Sequence, residues 1–263
     1  MSELLVHNSL FWDYNGAPLS SWYLCGDGST RDQRDAHLRW CEKNKCPTVI
    51  LNMNNEEIMS LWKPGKYMRE LDNAKAQVFV EYVQQIHSYG GQPVIAFFDG
   101  PQIANAKYPC LNYLDRHGEM IRITVEVLDE YVAAYLVGCE TTRYEKPWNM
   151  GIVETVIGYL RTLTKKPVGT HSVLAGRNDN GWYMKYGIPR NAQFHCLETS
   201  NDPWAGDGRS VADMVSEVRY VVSQANGVAI WVGEHNVHSG ARSRAQSRAM
   251  AAIEGVYGVG GPM

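Results

Sequence analysis

Two glutamates stand out in this sequence because each directly follows a strongly apolar run. Glu140 ends the segment AAYLVGCE, and Glu234 lies in the segment VAIWVGEHN. A carboxylate in such surroundings is partly desolvated, which costs free energy unless the group is paired or has a chemical task. Cleavage of a glycosidic bond needs two carboxyl groups that flank the bond, one as acid and one as nucleophile or base.

Structural roles are the alternative for both glutamates. Glu140 could be an acid at a helix N-terminus, where the helix dipole favours negative charge, with Thr141 and Thr142 as capping residues. Glu234 could form one end of an ion pair with Arg143 or Arg177.

Eight short apolar runs recur along the chain, and helical stretches separate them. Runs that are apolar at consecutive positions are typical of parallel strands covered on both faces. The predicted strands are Trp22–Cys25, Thr48–Leu51, Val94–Phe98, Ala133–Val137, Val168–His171, Phe194–Leu197, Val228–Val232 and Val256–Val259. The predicted helices are Arg31–Asn44, Ala74–Tyr89, Glu119–Glu130, Met150–Thr164, Ser210–Asn226 and Arg242–Glu254, and 174–193 is predicted to be mostly loop.

Eight strand–helix units in 263 residues predict an α/β protein of the (β/α)8 TIM-barrel type. A doubly wound open sheet is the alternative, but its nucleotide-binding form needs a glycine-rich turn that CGDGSTRD does not supply. Residues 1–18 are predicted to form a β-hairpin with its turn at Asn15–Gly16, and 19–263 to form the barrel, within a single domain. Met263 follows the eighth run so closely that no eighth helix is expected.

The polar residues just past each run are the candidate site, because a barrel carries its active site where the strands end. They are Asp27, Asn52, Asn54, Asp99, Glu140, His171, Glu198, Glu234, His235 and Asn236.

Glutamates at the ends of the fourth and seventh strands resemble the arrangement in clan A retaining glycoside hydrolases. The resemblance implies that Glu140 is the acid/base and Glu234 the nucleophile of a double-displacement glycosidase. It further implies retention of configuration, β-linked sugars in an oligo- or polysaccharide as substrate, and no metal or organic cofactor.

Three positions depart from the pattern of that clan. Cys139 stands where clan members commonly carry asparagine, the eighth run GVYGVGG lacks a tryptophan, and His195 and Glu198 stand where a tyrosine is common. Cys139 and the expected lack of an eighth helix favour the alternative of a catalytically inactive barrel that binds carbohydrate.

Aromatic residues supply a second signal, with 8 Trp and 15 Tyr against 5 Phe. Four tryptophans fall in predicted loops on the strand-end side, where a flat ring could pack against a sugar: Trp62, Trp148, Trp182 and Trp204. The alternative is that such rings fill small satellite cores. Hydroxyl recognition or tuning of the glutamates is assigned to Asp27, Asn54, Asp99, His171, Glu198, His235 and Asn236.

A metal-dependent barrel similar to sugar isomerases is a further alternative. It would use Asp27, Glu140, His171, Glu198 and Glu234 as an oxygen-rich ring. His235 and His238 form an HxxH pattern of little specificity, and the leading hypothesis includes no metal.

Charge and composition exclude other classes of partner. A net charge of -3 gives no basic surface for nucleic acid, and no run approaches the roughly 20 apolar residues of a membrane span. Residues 1–10 lack the features of a signal peptide, so we expect a cytoplasmic or virion-associated protein, or a secreted one if a leader precedes it.

The six cysteines are scattered without the spacing of a zinc site, and we expect them to be buried free thiols. The sequence leaves the oligomeric state open.

Overall fold

The computed structural model describes residues 11–12, 18–19, 22–24, 31–52, 73–99, 114–139, 150–172, 175–184, 189–198, 210–226, 228–234 and 248–259. The strands are β1 Phe11–Trp12, β2 Pro18–Leu19, β3 Trp22–Leu24, β4 Thr48–Asn52, β5 Gln92–Asp99, β6 Ala134–Cys139, β7 Val168–Ser172, β8 Ala175–Asn178, β9 Gly181–Met184, β10 Phe194–Glu198, β11 Ala229–Glu234 and β12 Val256–Val259. The helices are α1 Arg31–Asn44, α2 Asn73–Ser88, α3 Leu114–Leu128, α4 Met150–Leu163 and α5 Val211–Gln224. Residues 248–251 are also helical.

Eight parallel strands form the main sheet, in the order β3-β4-β5-β6-β7-β10-β11-β12. All eight predicted strands are therefore confirmed. The strand order follows the sequence without reversal, whereas a doubly wound sheet changes direction in its middle. The doubly wound alternative is thus excluded, and the chain is a singly wound parallel sheet with helices between its strands.

The helices bury one face of this sheet. One core cluster joins β4 to β7 with α1 to α4 and includes Leu51, Phe97 and Tyr135, all fully buried. Another cluster joins β10 and β11 with α5 through Leu197 and Val218. Burial of both faces explains why these strands read as continuous apolar runs.

The opposite face of the sheet, which we call the inner face, carries its own cluster of buried residues. It comprises Ile50, Val94, Ala96, Ala134, Leu136, Phe194, Cys196, Ala229 and Trp231. At Gly169 of β7 a side chain is excluded, because the Phe194 ring of β10 occupies the space that a Cβ would need. This pairing of glycine with phenylalanine fixes how closely β7 and β10 approach at the inner face.

Helix boundaries follow the predictions within a few residues. Helix α1 matches, and α3 begins five residues before the predicted Glu119. Helix α5 begins after Ser210, whose hydroxyl accepts a hydrogen bond from the Asp213 N–H at 3.1 Å, completing the predicted capping box. No described helix is long and apolar enough to cross a membrane.

The prediction of a loop over 174–193 is wrong for 175–184, which form an antiparallel hairpin of β8 and β9. The hairpin turns between the partners Asn178 and Gly181, and Gly181 has a φ of 107°. Turn residues at 179 and 180 followed by glycine favour such a tight connection, and the strands are too short to show an apolar run.

At the amino end, β1 and β2 pair antiparallel, with Phe11 opposite Leu19 and Trp12 opposite Pro18. The predicted turn at Asn15–Gly16 lies outside the described residues, and the division into 1–18 and 19–263 stays a prediction. Strand β12 ends at Val259, the last described residue, so the expected lack of an eighth helix also stays a prediction.

Candidate active site at the strand ends

Four of the predicted site residues are the final residues of their strands. Asn52 ends β4, Asp99 ends β5, Glu198 ends β10 and Glu234 ends β11. Since all eight strands of the main sheet are parallel, these four positions lie at the same edge of the sheet. That edge is the one at which parallel α/β sheets carry their ligand sites.

Glu140 follows directly on Cys139, the last residue of β6, and itself lies outside the described residues. Cys139 is the register partner of Asp99 on β5. In the sheet order, β7 and β10 lie between β6 and β11. Cys139, the residue before Glu140, and Glu234 therefore lie at one edge of the sheet but not on neighbouring strands.

Glu198 and Glu234, by contrast, are direct register partners. The pairing of β10 with β11 runs from Phe194 opposite Ala229 to Leu197 opposite Val232, and then shifts by one residue. The extra residue on β11 is Gly233, and the shift brings Glu198 opposite Glu234. Irregularities of this kind are frequent beside active sites, where they change which residues face each other.

His171 lies in β7, one residue before the end of the strand, and is fully buried. Its register partner on β10 is Cys196, whose partner on β11 is Trp231. Cys196 and Trp231 belong to the inner-face cluster, so these three residues form one level of the inner face. Burial lowers the pKa of His171 to about 4, because a desolvated imidazolium is disfavoured. The imidazole is therefore neutral at pH 7.

His195 is on the other face of the sheet. It pairs in register with Thr170 on β7 and with Ile230 on β11, and Ile230 packs in the cluster beneath α5. It is fully buried, and burial, followed by the charge of His171, lowers its pKa to about 3. His195 and Glu198 both stand in the segment where a tyrosine is common in clan A glycoside hydrolases. Only Glu198 lies at the strand end. His195 lies instead on the face of the sheet that the helices cover.

Trp182 lies in β9 as the register partner of Arg177, rather than in a loop as predicted. Its neighbour Tyr183 is exposed. The hairpin begins three residues after β7 ends, so it extends from the candidate site edge of the sheet. Among the other tryptophans, Trp231 is 3% exposed and belongs to the inner-face cluster.

The remaining predicted site residues lie outside the described residues, and their roles stay predictions. They are Asp27, Asn54, Trp62, Glu140, Trp148, Trp204, His235 and Asn236.

Within the described part of the chain, no group of three or more His, Cys, Asp or Glu residues could hold a metal ion. Two residues of the hypothetical metal ring, Asp27 and Glu140, fall outside that part. Cys41, Cys46 and Cys196 are buried, and these three cysteines take no part in a disulfide.

The register of Glu198 with Glu234 and the neutral level beneath them do not follow from the sequence alone. One signal is present: an isolated glycine within a strand pattern, as at Gly233, indicates a bulge. The partnership of Trp231 in one level with His171 and Cys196 depends on how three strands align, which no single run of the sequence records.

No protein-family model matches this sequence, and no curated protein matches it. Solved structures do match. The endo-1,4-β-mannanase from Eisenia fetida aligns with 97% of this chain and 85% of its own, with a TM-score of 0.63 and 13% identity. The GH5_18 protein from Bifidobacterium longum subsp. longum aligns with 93% of this chain and 69% of its own, with a TM-score of 0.64 and 10% identity. It has also been solved in complex with Manβ1-4GlcNAc.

The β-glycosidase from Pyrococcus horikoshii is similar over 88% of this chain and 74% of its own, with a TM-score of 0.60 and 10% identity. The chain thus has the fold of these glycoside hydrolases. The resemblance to clan A is confirmed at the level of the fold, and at such identities the likeness carries no further than that.

Proposed function

We propose that this protein is a glycoside hydrolase that cleaves β-linked bonds of an oligo- or polysaccharide with retention of configuration, within a closed (β/α)8 barrel. The observation that carries the proposal is the position of Glu234 as the last residue of β11, with Glu140 directly after β6, in a chain with the glycosidase fold. These are the two strand ends from which carboxyl groups can reach one substrate from opposite sides of a barrel mouth.

Closure of the barrel is part of the proposal. The described strands form one parallel sheet that follows the chain order from β3 to β12. A sheet of eight such strands closes when its first and last strands pair. Closure would bring the ends of β6 and β11 to opposite sides of the mouth, with the inner-face cluster as the packed interior.

In the first step, Glu140 donates its proton to the departing glycosidic oxygen while the Glu234 carboxylate attacks the anomeric carbon. The bond to the leaving oxygen breaks as the ester bond to Glu234 forms. In the second step, Glu140 takes a proton from water, and the resulting hydroxide displaces Glu234 from the same carbon. Two inversions at one carbon give net retention, and no cofactor enters either step.

The remaining predicted residues would bind the sugar. Asp99 at the end of β5 and Glu198 at the end of β10 are suited to accept hydrogen bonds from hydroxyl groups. Trp182, on the hairpin that follows β7, would offer an aromatic surface to a ring. A net charge of -3 over 263 residues suits an uncharged glycan.

The test is hydrolysis of a panel of aryl β-glycosides by the full chain, with the anomer of the first product followed by proton NMR. Retention is expected. We expect Glu234→Gln to lower kcat by at least about 10³-fold and Glu140→Gln by about 10²–10⁴-fold. The matched control is Glu254→Gln, an exposed glutamate before β12 at the opposite end of the sheet, which should leave kcat unchanged. An inverted product, or full activity of Glu234→Gln, contradicts the proposal.

An inactive carbohydrate-binding barrel is the second candidate, and Cys139 favours it. This residue ends β6 at the position before Glu140, where clan members commonly carry an asparagine. Binding of β-linked oligosaccharides by calorimetry, without turnover of any aryl glycoside, would select this candidate. Loss of a sugar-isomerising activity on addition of a chelator would instead select the metal-dependent barrel.

A further inference from the structure

The ends of β10 and β11 carry an inference that rests on the proposed function. Leu197 pairs with Val232, and one position further along Glu198 pairs with Glu234, because Gly233 is inserted between them. Without this shift, Glu198 would lie opposite Gly233. The irregularity therefore makes two acidic residues direct neighbours across the strand pair.

The level just beneath these residues is neutral. It contains His171, Cys196 and Trp231, of which His171 is uncharged at neutral pH because burial lowers its pKa to about 4. Cys196 is buried and takes no part in a disulfide. None of the described side chains at this level supplies a positive charge. Two carboxylates on directly opposed residues repel each other, and no described cation at this level offsets the repulsion, which favours retention of one proton by the pair.

Trp231 adds an independent observation. Its side chain is only 3% exposed, and its indole N–H has no hydrogen-bond acceptor among the described residues. A buried donor without an acceptor is unfavourable and calls for an explanation. Trp231 is the partner of Cys196, two positions before Glu198 on β10, which makes Glu198 its diagonal neighbour. Diagonal neighbours are within reach of aromatic and long side chains.

We propose that Glu198 and Glu234 share one proton in the free protein, and that the indole N–H of Trp231 donates to this carboxyl pair. Glu198 is then a positioning residue for the nucleophile Glu234. When the pair loses the shared proton to solvent water, both carboxyl groups are ionised and Glu234 is the carboxylate that attacks the sugar. Glu140 keeps its separate role as acid and base.

Other charged residues near this edge of the sheet are Asp99 on β5, and Arg177 and Asp179 on the β8–β9 hairpin. Arg177 offers an alternative explanation for the protonation state of Glu234, since a cation beside Glu234 would keep it ionised without help from Glu198. The experiment therefore includes Arg177→Gln.

The first measurement is the pH dependence of kcat/KM for an aryl β-glycoside, in the full chain. Glu198→Gln removes the neighbouring negative charge, so the acid limb should move to lower pH by about one unit. Trp231→Phe removes a donor that favours the ionised pair, so the same limb should move to higher pH by about half a unit. Glu254→Gln should leave it in place. An acid limb that stays fixed in Glu198→Gln, or that moves only in Arg177→Gln, overturns the proposal.

The second measurement does not depend on activity, so it also decides the proposal if the protein hydrolyses no glycoside. The indole N–H resonance of Trp231, identified by its loss in Trp231→Phe, is followed with pH in the unmodified chain. A titration step that moves to lower pH in Glu198→Gln supports the proposal. A resonance that does not titrate overturns it. A step whose midpoint is unchanged in both Glu198→Gln and Glu234→Gln reports His171 instead, and this outcome overturns it as well.

Discussion

Gly169 of β7 and Phe194 of β10 are register partners whose contact leaves no room for a side chain at position 169. A Cβ at that position would lie 2.5 Å from the Phe194 carbonyl oxygen and 2.8 Å from two carbons of its ring. Because the closest atom belongs to the backbone, a rotamer change cannot relieve the clash. We expect Gly169→Ala to lower the free energy of unfolding by about 1–3 kcal/mol, measured by urea denaturation.

Gly158 of α4 is the matched control, because a Cβ at that position would have Asn191 Nδ2 as its nearest neighbour, at 3.7 Å. There, Gly158→Ala should be neutral or should stabilise the protein by up to about 1 kcal/mol through helix propensity. Equal losses in both variants would contradict the role assigned to the β7–β10 contact.

The buried histidines predict a loss of stability in acid. Burial lowers the pKa of His171 to about 4 and of His195 to about 3, whereas both titrate near 6.5 in an unfolded chain. The unfolded chain therefore binds more protons between pH about 6.5 and 4. Stability is fully present above this window and falls as the pH decreases through it, by up to about 1.4 kcal/mol per pH unit for each histidine.

A substitution of His195 measures how much of the loss of stability in acid comes from this histidine rather than from His171. Neither ring nitrogen of His195 has a hydrogen-bond partner among the described residues. His195→Leu should therefore raise the free energy of unfolding by about 1 kcal/mol at pH 7, and by more at pH 5. Denaturation curves at the two pH values measure this, with the exposed His37→Gln as control. The same gain at both pH values would exclude the expected protonation.

The capping box of α5 predicts a local effect on stability. The Ser210 hydroxyl accepts from the Asp213 N–H at 3.1 Å and donates to the Asp213 carboxylate at 2.8 Å. Ser210→Ala removes both bonds and should cost about 1 kcal/mol of unfolding free energy. Ser223→Ala is the control, because that exposed hydroxyl donates to the Tyr220 carbonyl and accepts from the Gln224 side-chain amide at 3.2 Å, but caps no backbone N–H. A smaller loss at Ser210 than at Ser223 would contradict the capping role.

Asp129 joins three elements at the amino ends of the strands. Its Oδ1 accepts a 2.5 Å bond from the Thr164 hydroxyl and a 3.2 Å bond from the Tyr135 hydroxyl. Asp129→Ala leaves these hydroxyls without their acceptor and should cost about 1–3 kcal/mol in thermal or urea unfolding. Asp129→Asn keeps an oxygen acceptor and should lose clearly less. Equal losses would assign the effect to charge rather than to the two hydrogen bonds.

The strands are predictable because burial on both faces leaves a continuous apolar run, as in β11. The same burial removes the alternation that tells one face from the other. Cys196 and His195 are adjacent in one apolar run, and nothing in the sequence says that Cys196 is on the inner face and His195 beneath the helices. The sequence therefore predicts where a strand ends more readily than which of its residues faces the interior.

For the candidate site as well, the sequence predicts where the strands end more readily than which residues lie next to each other. Glu234 and Glu198 are strand-final residues as expected, since a parallel strand ends where its apolar run meets a polar residue. Their direct partnership depends on one inserted residue, Gly233, and register is a property of two strands together. The hairpin at 175–184 is not predictable in this way, because its strands have four residues each, too few for a period to emerge.

Strand β11 is out of regular register with both of its neighbours, at Leu197/Glu198 on the β10 side and at Ile230/Trp231 on the β12 side. The unpaired residue is Gly233 of β11 on one side and Tyr257 of β12 on the other. Such irregularities bend and twist the strand that carries the extra residue. An insertion or deletion of one residue between Trp231 and Glu234 would change which residue of β11 lies opposite Glu198, so the length of this part of β11 is tied to the surroundings of Glu234.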